Sequence, residues 1–215
     1  MLRLKSFFSL CLALAAALLV FVGCGNTAER EAVIVIDPEQ RFQTMTGWEL
    51  TADLAGNPQN PAWRPYKEEL LDRLASEAGG NRIRLEITNN AESPGEEARA
   101  FVASEMKYRD YKPFRYAMEN DNDDPFVINP DGFNFAEFDW HIEETVLPIK
   151  QRHEARGESL WINVCYVAFI EGKYPLKDPE EYAEFVLATY QHMDEKWGFV
   201  PDTWEVILEP DQKRD

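Results

Sequence analysis

Cysteine is scarce in this chain: its 215 residues hold three, Cys11, Cys24 and Cys165. Cys11 and Cys24 belong to an apolar N-terminal run, so no pair remains for a structural disulfide and stability has to come from a buried core. Cys165 reads as a small buried hydrophobe. Histidine is equally sparse, with His141, His153 and His192 on separate segments. His153-Glu154 is followed by Ala155-Arg156-Gly157, not by the second histidine of a zinc-binding HExxH helix, so no metal site is expected. No glycine-rich phosphate loop follows any apolar run, and no Ser–His–Asp arrangement has local support, so no cofactor is expected either. Positive charge is short as well. Twenty-two Lys and Arg face 39 acids, for a net charge of −17, or −19 once Arg3 and Lys5 of the leader are set aside. Clustered basic residues are what phosphate backbones require, so nucleic acid is excluded as a partner.

What is present begins at the N-terminus. Met1-Leu2-Arg3-Leu4-Lys5 is basic, residues 7–22 are apolar, and Gly23-Cys24-Gly25 follows. This order is that of a secretory signal. The small residue before Cys24 resembles a bacterial lipoprotein signal, which implies a lipidated Cys24 and anchorage to the cell envelope, in the outer membrane or at the cell surface. Residues 1–24 are then the signal, residues 25–32 a polar tether, and residues 33–215 the folded part.

Beyond residue 33, apolar runs alternate with helical periodicity. Residues 33–36 and 42–50 read as extended. Residues 66–78 place Leu70, Leu71, Leu74 and Ala78 at helical spacing before Gly79-Gly80. Residues 82–87 read as a strand, and 88–135 as a long loop or insertion. Within it, Asp121-Asn122-Asp123-Asp124 looks like the start of a calcium loop, but Pro125-Phe126 replaces the required turn, so it reads as a solvated loop. Residues 137–156 return to helix, with Phe138, Ile142, Val146, Ile149 and His153 on one face and Pro148 as a kink. Residues 160–168 read as a strand. Asp178-Pro179-Glu180-Glu181 opens another helix, and residues 204–209 form a last strand. This alternation builds a parallel sheet.

Side chains alternate across a strand. That places Arg82, Arg84 and Glu86 on one face and Ile83, Leu85 and Ile87 on the other. It likewise divides Trp161, Asn163 and Cys165 from Ile162, Val164 and Tyr166, and Thr203, Glu205, Ile207 and Glu209 from Trp204, Val206 and Leu208. Each strand has one greasy side and one polar side. A doubly wound sheet is greasy on both, so the pattern favours a barrel whose polar interior opens at the strand C-termini. A sheet with one wet face is the plainer alternative. On the barrel reading Arg84, Glu86, Asn163 and Glu209 share the inner surface. Glu209, cut off by Pro210, is the strand-end carboxylate where chemistry is done.

Three stretches carry a family resemblance. Gln43-Thr44-Met45-Thr46-Gly47-Trp48-Glu49, Asn81-Arg82-Ile83-Arg84-Leu85-Glu86-Ile87 and residues 204–210 resemble the first, second and fourth strands of retaining glycoside hydrolases of clan A, closest to family 30. The resemblance implies the N-terminal half of a (β/α)8 barrel, an α/β fold with about four parallel strands. It implies that Glu209 is the general acid/base in hydrolysis of polysaccharide O-glycosidic bonds, that Arg84 supports it, and that Trp48, Glu49, Glu86 and Asn163 line the sugar site. Leu208 departs from the pattern, which has an Asn contacting the sugar 2-hydroxyl there. The chemistry needs two carboxylates, about 5–5.5 Å apart for retention. In the resembled family the nucleophile comes from the seventh strand. Four strands do not supply it, so the chain is expected to be incomplete, or completed by a second polypeptide. Other expectations are a non-catalytic surface lipoprotein that binds glycan or a protein partner, and a small doubly wound α/β protein.

Overall fold

The computed structural model describes residues 33–169 and 177–209. Cys24, the 25–32 tether and Pro210 lie outside the described residues. Residues up to Thr44 form one unit and residues from Met45 onward another. In the first, Asp37 organises a turn: Gln40 N–H donates to its carbonyl at 3.2 Å and Glu39 N–H to its side chain at 3.0 Å. The strand expected at 33–36 is not formed. Val33, Ile34, Val35 and Ile36 are each more than four-fifths exposed. No described residue pairs with them, and an unpaired extended segment gains nothing from β geometry.

In the second unit, β1 (Trp48–Thr51), β2 (Gly80–Thr88), β3 (Trp161–Val167) and β4 (Thr203–Glu205) form one parallel sheet in the order β1-β2-β3-β4. The fold is α/β, and the order is decisive for its type. A doubly wound sheet reverses direction at a switch point. This one steps to the next strand three times without reversal. With right-handed crossovers, such an order puts every helix on the same face, as in half of a (β/α)8 barrel.

Helix α1 (Trp63–Ser76) connects β1 to β2. It buries Trp63, Leu71 and Ala75. Gly79 then turns the chain with φ +67°, a left-handed conformation that a side chain resists. Between β2 and β3 lie α2 (Glu96–Val102), α3 (Tyr108–Arg115) and a rod made of α4 (Ala136–His141), a π turn (Ile142–Val146) and α5 (Leu147–Glu154). The expected loop at 88–135 is therefore corrected: it carries two helices. They hide a small core of Ala98, Phe101 and Tyr111, with the Phe101 and Tyr111 rings stacked at 4.4 Å. The kink expected at Pro148 takes a definite form. Pro148 has no N–H to donate to the Glu144 carbonyl, and its ring crowds that carbonyl. The preceding turn widens, with Leu147 N–H donating to Ile142 O. The predicted buried face of this rod is Phe138, Ile142, Val146, Ile149 and His153, and all five are buried.

Helix α6 (Pro179–Trp197) joins β3 to β4. Asp178 caps it by accepting the Glu180 N–H at 3.0 Å, and Gly198 ends it at φ +70°. The helix buries Glu184, Phe185, Ala188, Thr189 and Met193. Among the described residues no helix is long and apolar enough to cross a membrane.

The sheet's apolar face packs Ile83, Leu85, Ile87, Ile162, Val164 and Tyr166 against Leu71, Phe138, Ile142, Val146, Ile149, Phe185 and Met193. Each fully buried aliphatic side chain contributes about 1.5–3 kcal/mol. Among the described residues the one cysteine, Cys165, is free, so this core carries the stability of the fold. Ion pairs stitch the helices together at its rim. Glu144 accepts from Trp63 Nε1 at 2.7 Å and Lys67 Nζ at 2.9 Å, and Arg152 reaches Glu68 and Asp72 of α1 at 2.7 and 2.6 Å.

Candidate functional site

The other sheet face is polar, and the register arranges it in rows. The first holds Glu49, Arg82 and Trp161; the second Thr51, Arg84, Asn163 and Thr203; the third Glu86, Cys165 and Glu205. In the first row the Arg82 guanidinium lies 3.8 Å from Glu49 and 5.1 Å from the Trp161 ring centre. In the second, Asn163 accepts from Thr203 Oγ1 at 3.0 Å and donates to Glu205 of the third at 3.3 Å. Arg84 reaches Glu86 at 3.4 Å, while its Nε is buried without a hydrogen-bond acceptor. Cys165 stands between the two glutamates, fully buried. Burial first, and then the charge of Glu205, push its thiol up to about 12, so it is an inert spacer and not a nucleophile.

At the C-terminal ends of β1 and β2 the rows merge into a cluster contributed by the helices. Arg115, at the end of α3, donates to Glu137 at 2.8 Å and to Tyr116 Oη at 3.0 Å, and lies 3.8 Å from Glu86. Tyr111 Oη donates to Glu137 at 2.8 Å, and His141 Nε2 lies 3.9 Å from the same carboxylate. Asp53 follows β1, and His141, Arg115, Glu86 and Glu137 all act on it electrostatically. Its Oδ1 and the Nδ1 of His141 are buried without partners.

The environments drive two of these carboxyls in opposite directions. Burial raises the Asp53 pKa, and Arg115 and His141 only partly offset this. Burial also pushes Glu137 up, but neighbouring His141, the Arg115 charge and the Tyr111 hydroxyl more than reverse it, leaving the net value lowered. The two neighbouring carboxyls thus differ in proton affinity, Asp53 shifted up and Glu137 shifted down, the kind of separation that acid/base chemistry uses.

The structure brings Arg84, Glu86 and Asn163 together on the inner face, as parity predicted. Two other expectations are corrected. Trp48, expected to line the sugar site at the barrel mouth, opens β1 and pairs with Gly80, at the opposite end from the strand C-termini. Glu49 follows it in the first row, also away from the mouth. The last strand, expected to run to Glu209, ends at Glu205. Asp202 N–H donates to Ile162 O and Leu208 N–H to Tyr166 O, so the chain spends two more residues than β3 over that stretch. Such a bulge breaks simple alternation. Leu208 packs with Tyr116, Cys165 and Val167. Glu209 is exposed with φ +53°.

The site residues that sequence reasoning passed over are Asp53, Arg115, Glu137, His141 and Glu205. Only Glu205 carried a signal, since parity already placed it on the inner face. The others come from loops and helix ends, where no alternation shows direction. Among the described residues no three His, Cys, Asp or Glu side chains converge on a point that could hold a metal ion. Comparisons with models of protein families, with curated proteins and with solved structures find no match to this chain.

Proposed function

We propose that the chain is an exported, lipid-anchored glycosidase-like protein that binds polysaccharide on the polar face of its sheet. In this reading Glu209 is the general acid/base of a two-carboxylate retaining mechanism. Arg84, Glu86 and Asn163 line the sugar site. The nucleophile comes from a strand beyond these four, in the same or a second polypeptide. The observation that supports it is the unreversed parallel order combined with a charged inner face. A doubly wound protein would bury that face under helices, and buried unpaired charge is costly. A barrel interior has a use for it. Asp53 and Glu137, with their opposed proton affinities, sit at the strand ends where such barrels work.

A second reading is a surface lipoprotein that binds glycan without cleaving it. It is favoured by Leu208, which stands in an apolar cluster where the resembled family has a sugar-contacting Asn, and by the bulge that separates Glu209 from the inner rows.

One experiment separates the two. The purified chain is assayed on soluble β-glucans for reducing-end release and, by affinity electrophoresis, for binding, alongside Glu209→Gln. The first reading places the nucleophile beyond these four strands, so it predicts glycan binding with little hydrolysis, and binding that changes in Glu209→Gln. Binding without hydrolysis, equal in both proteins, moves the conclusion to the second. Neither binding nor hydrolysis would sink both.

A further inference from the structure

A cleft of about 640 Å³ lies away from the sheet's polar face, between the 125–128 loop and helix α6. Its walls are mainly apolar and open, with Pro125, Phe126 and Ile128 on one side and Ala183 and Leu187 on the other, while Glu180 and Gln191 of α6 also line it. Phe126 and Leu187 are 83% and 51% exposed. Glu184 also lines it, yet that residue is only 4% exposed, and its Oε1 has no hydrogen-bond partner.

The surroundings of Glu184 are uniformly negative. Asp121, Asp124 and Glu181 bear on it, and Glu181 and Asp121 bear in turn on the buried Glu92. Asp121 Oδ1 and Glu181 Oε2 are buried without partners as well. Among the described residues no Lys, Arg or His forms an ion pair with any of Glu92, Asp121, Glu181 or Glu184. Carboxylates hidden from water are stabilised by a cation or they take up a proton. A metal ion does not fit, because no three donors among the described residues converge. A single unpartnered carboxylate oxygen buried at the wall of a mainly apolar cleft matches a compact point charge on a flexible stem.

We propose that this cleft binds an alkylammonium group, its charge against Glu184 and its stem between Phe126 and Leu187. The ammonium replaces the missing counter-ion, and the stem covers the exposed apolar walls. Either a free amine or a lysine side chain presents this chemistry.

The test is calorimetric titration of the full chain at pH 8 with n-hexylamine, with n-hexanol as the uncharged control and acetyl-Gly-Lys-Gly-amide as the peptide arm. Hexylamine is expected to bind saturably and hexanol not to bind. Glu184→Gln should weaken the amine by about tenfold or more, roughly what losing one charge contact costs. Burial, with the charges of Asp121, Glu181 and Asp124, pushes the Glu184 carboxyl up to about 7, so affinity should also rise from pH 6 to pH 8. Binding of the lysine peptide assigns the site to a protein side chain; its failure beside a binding amine assigns it to free amines. Should Glu184→Gln misfold by circular dichroism, Leu187→Ser at an exposed position serves instead, with a loss of about threefold expected for a shortened apolar contact. No binding of hexylamine, equal binding of hexanol, or affinity unchanged in both variants overturns the proposal.

Discussion

Arg115 Nε donates to Glu137 Oε1 at 2.8 Å across two helices, and the two side chains are only 8% and 12% exposed. This pair ties α3 to α4 within the excursion between β2 and β3, and Arg115 also lies 3.8 Å from Glu86 of β2. Removing one member leaves the other charged and buried, which is the costly way to break an ion pair. Arg115→Met should destabilise the fold by about 3–5 kcal/mol, read from urea denaturation midpoints. The double variant Arg115→Met, Glu137→Leu should recover a good part of that loss, because neither charge is then stranded. A single variant as stable as the parent would show that the cluster is open to water.

Acid should undo the same cluster. Glu137 has its carboxyl held below the ordinary value of 4.5 by His141, Arg115 and Tyr111, acting against burial. Asp139 is held below 3.8 by His192, Lys196 and Trp197, again against burial. A carboxyl with a lowered folded-state pKa binds fewer protons than in the unfolded chain. Its stabilising effect is complete above the unfolded value and is lost as pH falls through the folded one. Thermal midpoints should therefore fall steeply below about pH 4.5. In Glu137→Gln the fall should be shallower. An identical acid profile in that variant would mean that other groups control it.

Glu92 has the opposite sign. It is 1% exposed, and burial together with Asp121, Glu181 and Glu184 pushes its carboxyl up to about 7. A raised folded-state pKa means that the folded protein keeps a proton the unfolded chain has lost. Stability then declines as pH rises from the ordinary 4.5 to about 7. Glu92→Gln preserves an acceptor for the Asp121 N–H, which Glu92 Oε1 takes at 3.1 Å. It should be neutral at pH 4.5 and stabilising by about 1–2 kcal/mol at pH 8, measured as the difference between urea midpoints at the two pH values. Equal effects at both would show that no proton is involved.

Gly47 tests how β1 is fastened. The register slips between Trp48 and Glu49, and the bulged Asn81 turns its amide onto the neighbouring strand. It accepts the Trp48 N–H and donates to the Thr46 carbonyl, both at 3.1 Å. A Cβ on Gly47 would sit 2.1 Å from Asn81 Oδ1, so the amide would have to leave. Gly47→Ala should cost about 1–3 kcal/mol of stability, and Asn81→Ala a similar amount. The two together should cost little more than either alone. Additive losses would show that the residues act separately.

These residues also show where the sequence could be read. Alternation in β2 and β3 placed Arg84, Glu86 and Asn163 correctly, because a strand buried on one side leaves a period of two in its composition. The rod at 136–154 was legible for the same reason at helical period. Helices α2 and α3 were not, since they are short, rich in charge, and hide only three core side chains between them. Glu184 escaped notice because nothing local distinguishes a buried acid on a helix from a solvated one. The 33–36 run illustrates the reverse error: four β-branched residues have high strand propensity, but propensity without a pairing partner does not make a strand.

Leu208 is where the family resemblance and the geometry diverge most, so it is the sharpest substitution. The resemblance treats residues 204–209 as one unbroken strand ending in Asn-Glu. The chain instead bulges after Glu205 and sinks Leu208 beside Tyr116, Cys165 and Val167. Leu208→Asn removes that apolar contact and should lower stability by about 1–2 kcal/mol. On the glycosidase reading it also supplies the amide that the sugar 2-hydroxyl would meet, so glycan affinity should rise while stability falls. Affinity electrophoresis on β-glucan and a urea titration measure the two effects on the same preparation. A stability loss with no change in glycan affinity would place Leu208 in the packing alone. It would remove residue 209 from register with the acid/base glutamate it resembles.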